Sequence, residues 1–169
     1  NEDRFIRGTN NADNKIFVIT HHNSPNTMRE IGRLREMTFR DAGGGTGKAL
    51  DIDQYDTDKV PFKQLIVWDP DEREIIGGYR FIHGKDISIK DDGSLKTATG
   101  KLFNISKKYI KEYMPVTVEL GRSFVQTFYQ PTVDLRRGMY SLDNIWDGLG
   151  AIVIDNPDIK FLFGKVTLY

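Results

Sequence analysis

Hydrophobic and polar residues follow two different periods along this chain. Runs rich in β-branched and aromatic residues predict strands at 15–20, 64–69, 75–82, 116–126 and 160–168. Apolar residues spaced three and four apart predict helices at 25–42, 104–113 and 139–154. The predicted order is β-α-β-β-α-β-α-β. Its last β-α-β unit favours an α/β (α+β) sheet that contains one parallel pair.

The first predicted helix carries an arginine on its apolar face. Arg35 lies four residues from both Ile31 and Phe39, so its guanidinium shares their side of the helix. A guanidinium that is buried there needs carboxylate partners, and the acids of residues 51–56 are the nearest in sequence. The alternative is an Arg35 that extends to solvent from the rim of the face.

The predicted strand 116–126 is interrupted by a glycine. Apolar residues alternate up to Leu120, after which Gly121 intervenes and Arg122 takes the next apolar position. A glycine inside a strand often marks a β-bulge, which would turn Glu119 and Arg122 to the same side and free backbone N–H groups. A carboxylate, an arginine and free amides together suit acyl chemistry. Taken alone, the pattern fits an ordinary cross-strand ion pair better.

The glycine-rich run GGGTGKAL at 43–50 looks at first like a nucleotide-binding loop. A Walker A motif needs glycine where this chain has Ala42, and serine or threonine where it has Ala49. The run also follows a helix rather than a strand. We therefore interpret it as a mobile connector to the acids that follow. Those acids do not form a calcium loop, because Tyr55 and Asp56 occupy a ligand position and the required glycine position.

Composition narrows the classes of function. The 169 residues suffice for one domain, and 24 Lys plus Arg balance 24 Asp plus Glu, which disfavours a dedicated nucleic-acid binder. The absence of cysteine excludes disulfides and thiolate chemistry, and the three histidines are not spaced as a metal site. No apolar run reaches membrane-spanning length and no signal peptide is evident, so we expect a cytoplasmic protein. A start without Met indicates that the numbering begins inside a longer gene product.

A basic loop precedes the last predicted helix. Arg136, Arg137 and Gly138 come just before residue 139. An anion bound there would meet two guanidiniums and the free backbone N–H groups of a helix N-terminus. A solvated basic loop explains the same residues equally well, and the motif does not decide between the two.

Several motifs occur in an order and spacing that resemble a known family. They are Arg35-x-x-x-Phe39, Asp51-x-Asp53-x-Tyr55-Asp56, Gly77-Gly78-Tyr79-Arg80, Glu119-Leu120-Gly121-Arg122-Ser123 and Ile145-Trp146-Asp147-Gly148. The chain resembles GNAT-fold N-acyltransferases of the autoinducer-synthase superfamily. Within that superfamily it is most similar to the ornithine-lipid acyltransferase branch, whose members also carry a hemolysin label, and to the N-acyl-glycine synthases of gut bacteria. The resemblance covers residues 28 to 169.

The resemblance implies a GNAT-like fold. Its central sheet is mixed and mostly antiparallel, with one splayed parallel strand pair and helices on both faces. Residues 1–169 would form a single acyltransferase domain that lacks the last helix and strands of the full fold. The implied activity moves a fatty acyl group, including a 3-hydroxy acyl group, from acyl carrier protein to the amine of an amino acid such as glycine or ornithine. The donor is an acyl-phosphopantetheine thioester, and neither a permanently bound cofactor nor a metal is implied.

The resemblance also implies catalytic residues. One charged cluster beside the acyl cleft would contain Arg35, Asp53, Asp56, Arg80, Glu119 and Arg122. Glu119, held near Arg122, would be the general base that takes the proton of the amine. A backbone N–H near Ser123 or Phe124 would stabilise the oxyanion, and Ser123 would protonate the leaving thiolate.

The remaining members of the cluster are implied to bind the acceptor. Arg35 or Arg80 would bind its carboxylate. Asp53 and Asp56 would orient these arginines or bind the acceptor ammonium, and Phe39 would belong to the same substrate site. The glycine-rich run would then be a flap over this pocket, free when the pocket is empty and ordered by substrate.

The donor side of the implied site involves two basic regions. Arg136, Arg137 and Gly138 would hold the pantetheine phosphate, and pantetheine would enter a gap beside strand 116–126. Acyl carrier protein is acidic, so exposed lysines would face it. The candidates are Lys107, Lys108 and Lys111, which a solvated helix face explains equally well.

The sequence leaves several alternatives for function, donor and membrane association. The autoinducer enzymes have a tryptophan shortly after the phenylalanine of the first helix, and its absence here disfavours adenosylmethionine recognition. A non-catalytic lipid- or protein-binding module on the same scaffold is the alternative function, because a fold alone does not establish activity. Acyl-CoA as donor, peripheral association with the inner face of the membrane and the oligomeric state are also undecided.

Overall fold

The computed structural model of the chain describes residues 2–133 and 135–165, and within them a six-stranded sheet forms the centre of the molecule. The strands are β1 (Phe5–Gly8), β2 (Lys15–Ile19), β3 (Lys63–Asp69), β4 (Glu74–His83), β5 (Thr117–Val125) and β6 (Phe161–Gly164). They lie side by side in the order β1-β2-β3-β4-β5-β6. The pairs are antiparallel except for β5 and β6, which are parallel. The predicted mixed, mostly antiparallel sheet with one parallel pair is confirmed.

Helices cover both faces of this sheet. Within the described residues they are α1 (Pro25–Asp41), the short α2 (Gln54–Thr57) and α3 (Leu135–Asp155). The neighbours Leu65 and Ile66 show the arrangement, because successive side chains of a strand point to opposite faces. Leu65 packs in a buried cluster with Ile152 and Ile145 of α3, whereas Ile66 packs with Met28 and other residues of α1.

A third apolar cluster is formed by α2, the end of β4 and the segment that connects β4 to β5. Tyr55, Phe62, Ile82, Leu95 and Met114 are all buried in it. The irregular segment 84–116, which connects the two strands, therefore folds over the end of the sheet beside α2. This packing brings α2 and the turn at Thr99–Lys101 into one region of the molecule.

Several elements differ from their predicted bounds. The strand β1 was not predicted, because four residues at a half-exposed sheet edge carry no clear alternation. The helix predicted at 104–113 is reduced to a short helical stretch ending in a π-helical turn at Tyr109–Tyr113, with no buried residue in the turn. A 3₁₀ turn at Met114–Val116 follows, and its Pro115 has no backbone N–H with which to continue an α-helical hydrogen-bond ladder.

The two ends of the α3–β6 unit also differ from expectation. The helix α3 begins at Leu135, four residues earlier than the apolar pattern indicated. The strand β6 ends at Gly164, and the part of the predicted strand from 166 to 168 lies outside the described residues. Thr117 to Leu120 of β5 pair with Phe161 to Gly164. Among the described residues, β5 therefore continues for five positions without a parallel neighbour.

Candidate active site

A buried arginine stands at the centre of the candidate site. Arg35 of α1 is 0% exposed, and its Nε donates to Asp51 Oδ2 at 3.0 Å while its Nη2 donates to Asp56 Oδ2 at 3.2 Å. Helical spacing places Arg35 on the sheet-facing side of α1, and the fully buried side chain of Gln64 on β3 lies against it. The prediction that Arg35 is buried and paired with the acids of 51–56 is confirmed, and the alternative of a solvent-reaching Arg35 is wrong.

A second arginine completes the network from the sheet. Arg80 of β4 is 3% exposed, and its Nη1 donates to Asp53 Oδ1 at 2.8 Å and to Asp56 Oδ1 at 3.2 Å. Its guanidinium also lies over the rings of Phe62 and Tyr55, at 5.1 and 5.7 Å from their centroids. Carboxylates and aromatic faces are the two partners that a buried guanidinium prefers.

The charges of this network are matched. Burial alone would raise the pKa of the Asp56 carboxyl, but the positive charges of Arg35 and Arg80 together outweigh it, and the net pKa is lowered. Burial likewise would lower the pKa of Arg80, and Asp56 with Asp53 reverses this, so that its pKa is raised. Asp56 and Arg80 are therefore both charged at neutral pH. Arg35 and Arg80 are both ion-paired with aspartates, and the binding of the acceptor carboxylate by either of them stays a prediction.

The helix α2 explains why the acids are so close together. Asp53 is its N-cap, and its side chain accepts from the backbone N–H of Tyr55 at 2.9 Å. The backbone N–H of Asp53 in turn donates to Asp56 Oδ2 at 3.0 Å, which completes a capping box. The two carboxylates that cap the N-terminus of this helix thus also pair with the arginines of α1 and β4.

The predicted β-bulge is present in β5. Gly78 pairs with Phe124 and Arg80 pairs with Gly121, so three steps along β5 match two steps along β4. The backbone of Arg122 has a positive φ of 53°, which identifies it as the strained residue of the bulge, directly after Gly121. The exposed side chain of Ser123 lies at the same place.

The bulge turns Arg122 into the charged network. Its Nε lies 2.9 Å from Asp51 Oδ2, an ion pair in which the N–H does not point at the oxygen closely enough for a hydrogen bond. Its Nη2 lies 4.0 Å from Asp53 Oδ2, and the guanidinium stands 5.9 Å from the ring centroid of Phe39. The network therefore joins Arg35, Asp51, Asp53, Asp56, Gln64, Arg80 and Arg122, and Phe39 adjoins it.

Among the described residues, no hydrogen bond or ion pair joins Glu119 to this network. Its side chain is 4% exposed, and its Oε1 accepts from the hydroxyl of Thr99 at 2.8 Å. No ion pair joins Glu119 to Arg122 within residues 2–133 and 135–165, which corrects the expectation of a single cluster that includes both. The physical reason is that Asp51, already buried beside Arg35, holds the Arg122 guanidinium on the α1 side.

The glycine-rich run is attached to α1. The buried carboxylate of Glu36 accepts from the backbone N–H of Thr46 at 2.9 Å, from its hydroxyl at 2.6 Å and from the backbone N–H of Gly47 at 2.9 Å. The Thr46 hydroxyl is the largest of the interactions that lower the pKa of Glu36 to about 2, assisted by Arg40. This attachment argues against the prediction of a flap that is free until a substrate orders it.

Arg136, Arg137 and Gly138 lie in the first turn of α3 rather than in a loop before it, which corrects the predicted boundary. Arg137 Nη2 is 3.2 Å from Glu72 Oε1, and Arg136 stands over the ring of Tyr140. A Cβ on Gly138 would come within 2.3 Å of the Pro131 backbone nitrogen, so the glycine permits a close approach of the preceding loop. The binding of a phosphate here stays a prediction.

Three members of the site were missed or only partly assigned from the sequence. Asp51 was grouped with the other acids but not assigned to both Arg35 and Arg122. Gln64 carries a signal, since a polar side chain at the head of the apolar run Gln64-Leu65-Ile66 needs a buried partner. Thr99 carries none, because it lies in a segment without periodicity.

Two further properties of the described residues bear on function. In residues 2–133 and 135–165 no three His, Asp or Glu side chains come together in a way that would hold a metal ion. Over the same residues, no helix has both the length and the apolar character that crossing a membrane requires. The exposed lysines Lys107, Lys108 and Lys111 lie in or beside the π-helical turn, and their contact with a carrier protein stays a prediction.

Comparison with known proteins defines the class. Residues 34–136 match the family model of the acetyltransferase (GNAT) domain. This range runs from α1 to the first turn of α3 and includes the whole charged network, the bulge and Glu119. The chain belongs to the GNAT acetyltransferase-domain family. The finer assignment to the autoinducer-synthase superfamily stays a prediction.

Two named relatives are similar over nearly the whole chain. A glycine N(alpha)-acyltransferase of Bacteroides thetaiotaomicron is 55% identical over 168 residues, which are 99% of this chain and 50% of that protein. A glycine N(alpha)-acyltransferase of Phocaeicola vulgatus is 53% identical over 99% of this chain and 52% of that protein. The chain spans about half the length of these curated relatives.

A solved structure, an aminoglycoside acetyltransferase from an uncultured soil metagenomic sample, is similar over 92% of this chain and 81% of its own. The sequence identity is 12% and the TM-score is 0.46. A likeness at this level supports no conclusion about this chain.

Proposed function

We propose that the chain is the acyltransferase domain of an enzyme that transfers a fatty acyl group to the amine of glycine. The observation that carries this proposal is the 55% identity, over 99% of the chain, to a protein named glycine N(alpha)-acyltransferase. The buried carboxylate beside a β-bulge supports the same reaction, since acyl transfer to an amine needs a proton acceptor and an oxyanion site.

The donor in this proposal is an acyl-phosphopantetheine thioester on acyl carrier protein. In this proposal the thioester carbonyl lies along β5 beyond Leu120, beside the bulge. The strained backbone at Arg122 lies in this stretch, and the bulge leaves Arg122 and Ser123 without register partners on β4. Backbone N–H groups near Ser123 are therefore the candidate donors to the oxyanion. One such N–H binds the oxyanion, and losing a donor of this kind typically costs about 10²–10³ in rate.

The reaction requires two protons to leave the amine. Glu119 accepts the first, either directly or through a water molecule, and the glycine nitrogen then attacks the carbonyl carbon. The C–N bond forms, the C–S bond breaks, and the second proton passes to the leaving thiolate with Ser123 as the candidate donor group. Thr99 holds Glu119 in place through the 2.8 Å hydrogen bond. The products are the N-acyl amino acid and free carrier thiol.

In this proposal the buried network has a structural role at the site. Asp51, Asp53 and Asp56 orient Arg35, Arg80 and Arg122 and fix the bulge of β5 to α1. The first turn of α3, with Arg136, Arg137 and Gly138, is the candidate contact for the pantetheine phosphate. The arrangement is typical of a helix N-terminus that binds an anion.

Replacement of the candidate base tests the mechanism. We expect Glu119→Gln in the full-length protein to lower kcat by about 10²–10⁴, because the amide cannot accept the proton. Glu112→Gln, an exposed glutamate in the π-helical turn, is the matched control and should keep the wild-type rate. The readout is release of carrier thiol from acyl carrier protein in the presence of glycine, ornithine or serine. A folded Glu119→Gln protein with wild-type turnover would remove Glu119 as base.

A further inference from the structure

An open pocket of about 550 Å³ lies beside the buried network. Lys48 of the glycine-rich run and Lys101 line it, together with Ile52, Asp53 and Tyr55. Asp53 is the carboxylate through which the network reaches this pocket, because its side chain is 29% exposed whereas that of Asp56 is 0% exposed. The pocket therefore lies where the charged network reaches solvent.

The two lysines of this pocket differ from the arginines beneath them. Within residues 2–133 and 135–165, neither Lys48 nor Lys101 has a carboxylate within ion-pair distance. Lys101 Nζ instead stands 5.4 Å from the ring centroid of Tyr55. Asp53 is engaged by the arginine of β4. The pocket therefore presents two ammonium groups with no matching anion, which suits a small carboxylate ligand.

The backbone conformation positions both lysines at the pocket. The backbone carbonyl of Lys48 accepts from Arg40 Nη2 at 3.0 Å, and Glu36 fixes the preceding Thr46 and Gly47. The backbone of the glycine-rich run is therefore held in place at Lys48. Lys101 closes a short turn that begins with Thr99, whose hydroxyl contacts the candidate base. One short turn therefore connects the pocket to Glu119.

We propose that Lys48 and Lys101 bind the carboxylate of the acceptor amino acid in this pocket. The proposal rests on the proposed function and adds the basis for choosing an amino acid over a simple amine. It assigns this role to the exposed lysines rather than to Arg35 and Arg80, since both arginines are buried and ion-paired with aspartates. Glu36 is a positioning residue, because it acts through the loop that carries Lys48.

The test compares an acceptor that has the carboxylate with one that lacks it. Steady-state kinetics of the full-length protein are measured with glycine and with glycinamide, at saturating acyl-thioester donor. For Lys48→Met and Lys101→Met we expect the KM for glycine to rise about tenfold each, as for the loss of one charge-assisted hydrogen bond. The KM for glycinamide and the KM for the donor should stay unchanged. Lys15→Met, an exposed lysine on β2 outside the pocket lining, is the control and should behave as wild type.

The outcomes separate this inference from the proposed function. A Lys48→Met, Lys101→Met double variant with the wild-type KM for glycine would overturn the carboxylate pocket. Equal losses with glycine and glycinamide would also overturn it, because they would indicate a general effect on the site. If the wild-type protein transfers an acyl group to neither acceptor nor to any other amine, the proposed function fails instead.

Discussion

Two neighbouring groups of charged residues differ in how completely they are matched. In the network around Arg35 and Arg80, guanidiniums and carboxylates are buried together, and Asp56 receives hydrogen bonds from both arginines. At the pocket above it, Lys48 and Lys101 are exposed and have no carboxylate partner among the described residues. A matched buried network fixes a structure, whereas unmatched charges at an opening are available to a ligand.

The comparison predicts that the two regions respond differently to loss of a charge. Asp56→Ala removes a carboxylate that balances the buried positive charges of Arg35 and Arg80. We expect it to lower the free energy of unfolding by about 3–5 kcal/mol. Lys101→Met should change the free energy of unfolding by less than about 0.5 kcal/mol, as is usual for an exposed position. Urea unfolding followed by circular dichroism measures both values.

Asp91→Ala serves as the control for Asp56→Ala, since Asp91 is exposed and outside the network. It should leave the free energy of unfolding close to that of the wild type. An Asp56→Ala protein as stable as Asp91→Ala would contradict the structural role of the network.

The attachment of the glycine-rich run predicts a second, smaller effect in acid. The pKa of Glu36 is lowered from 4.5 to about 2 in the folded protein, first of all by the hydroxyl of Thr46. A carboxylate with a lowered pKa contributes its stabilisation fully above pH 4.5, and the contribution is lost as the pH falls towards 2. The backbone amide resonances of Thr46 and Gly47 should therefore shift with a midpoint near pH 2 in NMR titration.

Glu36→Gln removes this titrating group and tests whether Glu36 attaches the glycine-rich run to α1. The amide presents an N–H₂ group where the carboxylate accepted hydrogen bonds, so Thr46 and Gly47 should lose their attachment. Because Lys48 follows them, the KM for glycine should rise in this variant while the KM for glycinamide does not. Amide shifts with a midpoint near pH 4.5 in the wild type would contradict the attachment.

The smallest expected effect concerns the donor. Lys107, Lys108 and Lys111 are exposed, and an acidic carrier protein would be attracted to them at low ionic strength. Replacing all three by glutamine should raise the KM for acyl carrier protein several-fold and weaken its dependence on salt. A KM for the carrier that does not change with salt in the wild-type protein would argue against electrostatic docking.

The sequence predicted the elements in which the hydrophobic pattern repeats over several residues. The helix α1 and the strands β2 to β5 were placed within a few residues, because each buries a regular face or alternates in a half-buried sheet. The strand β1 and the helix α2 were missed, because each has four residues. The helix α2 depends on the capping box of Asp53 and Asp56, and both acids had been interpreted as partners of arginines.

The sequence predicted those residues of the candidate site that can be identified from the periodicity of their own helix or strand. Arg35 was identified from its position on the apolar face of a helix, and the bulge from the glycine within an alternating strand. The contact between Thr99 and Glu119 depends on how the segment between β4 and β5 folds back over the sheet. Long-range packing of this kind leaves no periodic signal, so the separation of Glu119 from Arg122 became visible only in the structure.

The central claim is that this domain supports acyl transfer to glycine. The most direct measurement incubates the full-length protein with acyl carrier protein carrying a long-chain acyl group and with isotopically labelled glycine, followed by mass spectrometry of the extracted products. We expect labelled N-acylglycine and an equal amount of free carrier thiol, both strongly reduced in Glu119→Gln. Release of thiol without a labelled N-acyl product, or no reaction in the wild-type protein, would contradict it.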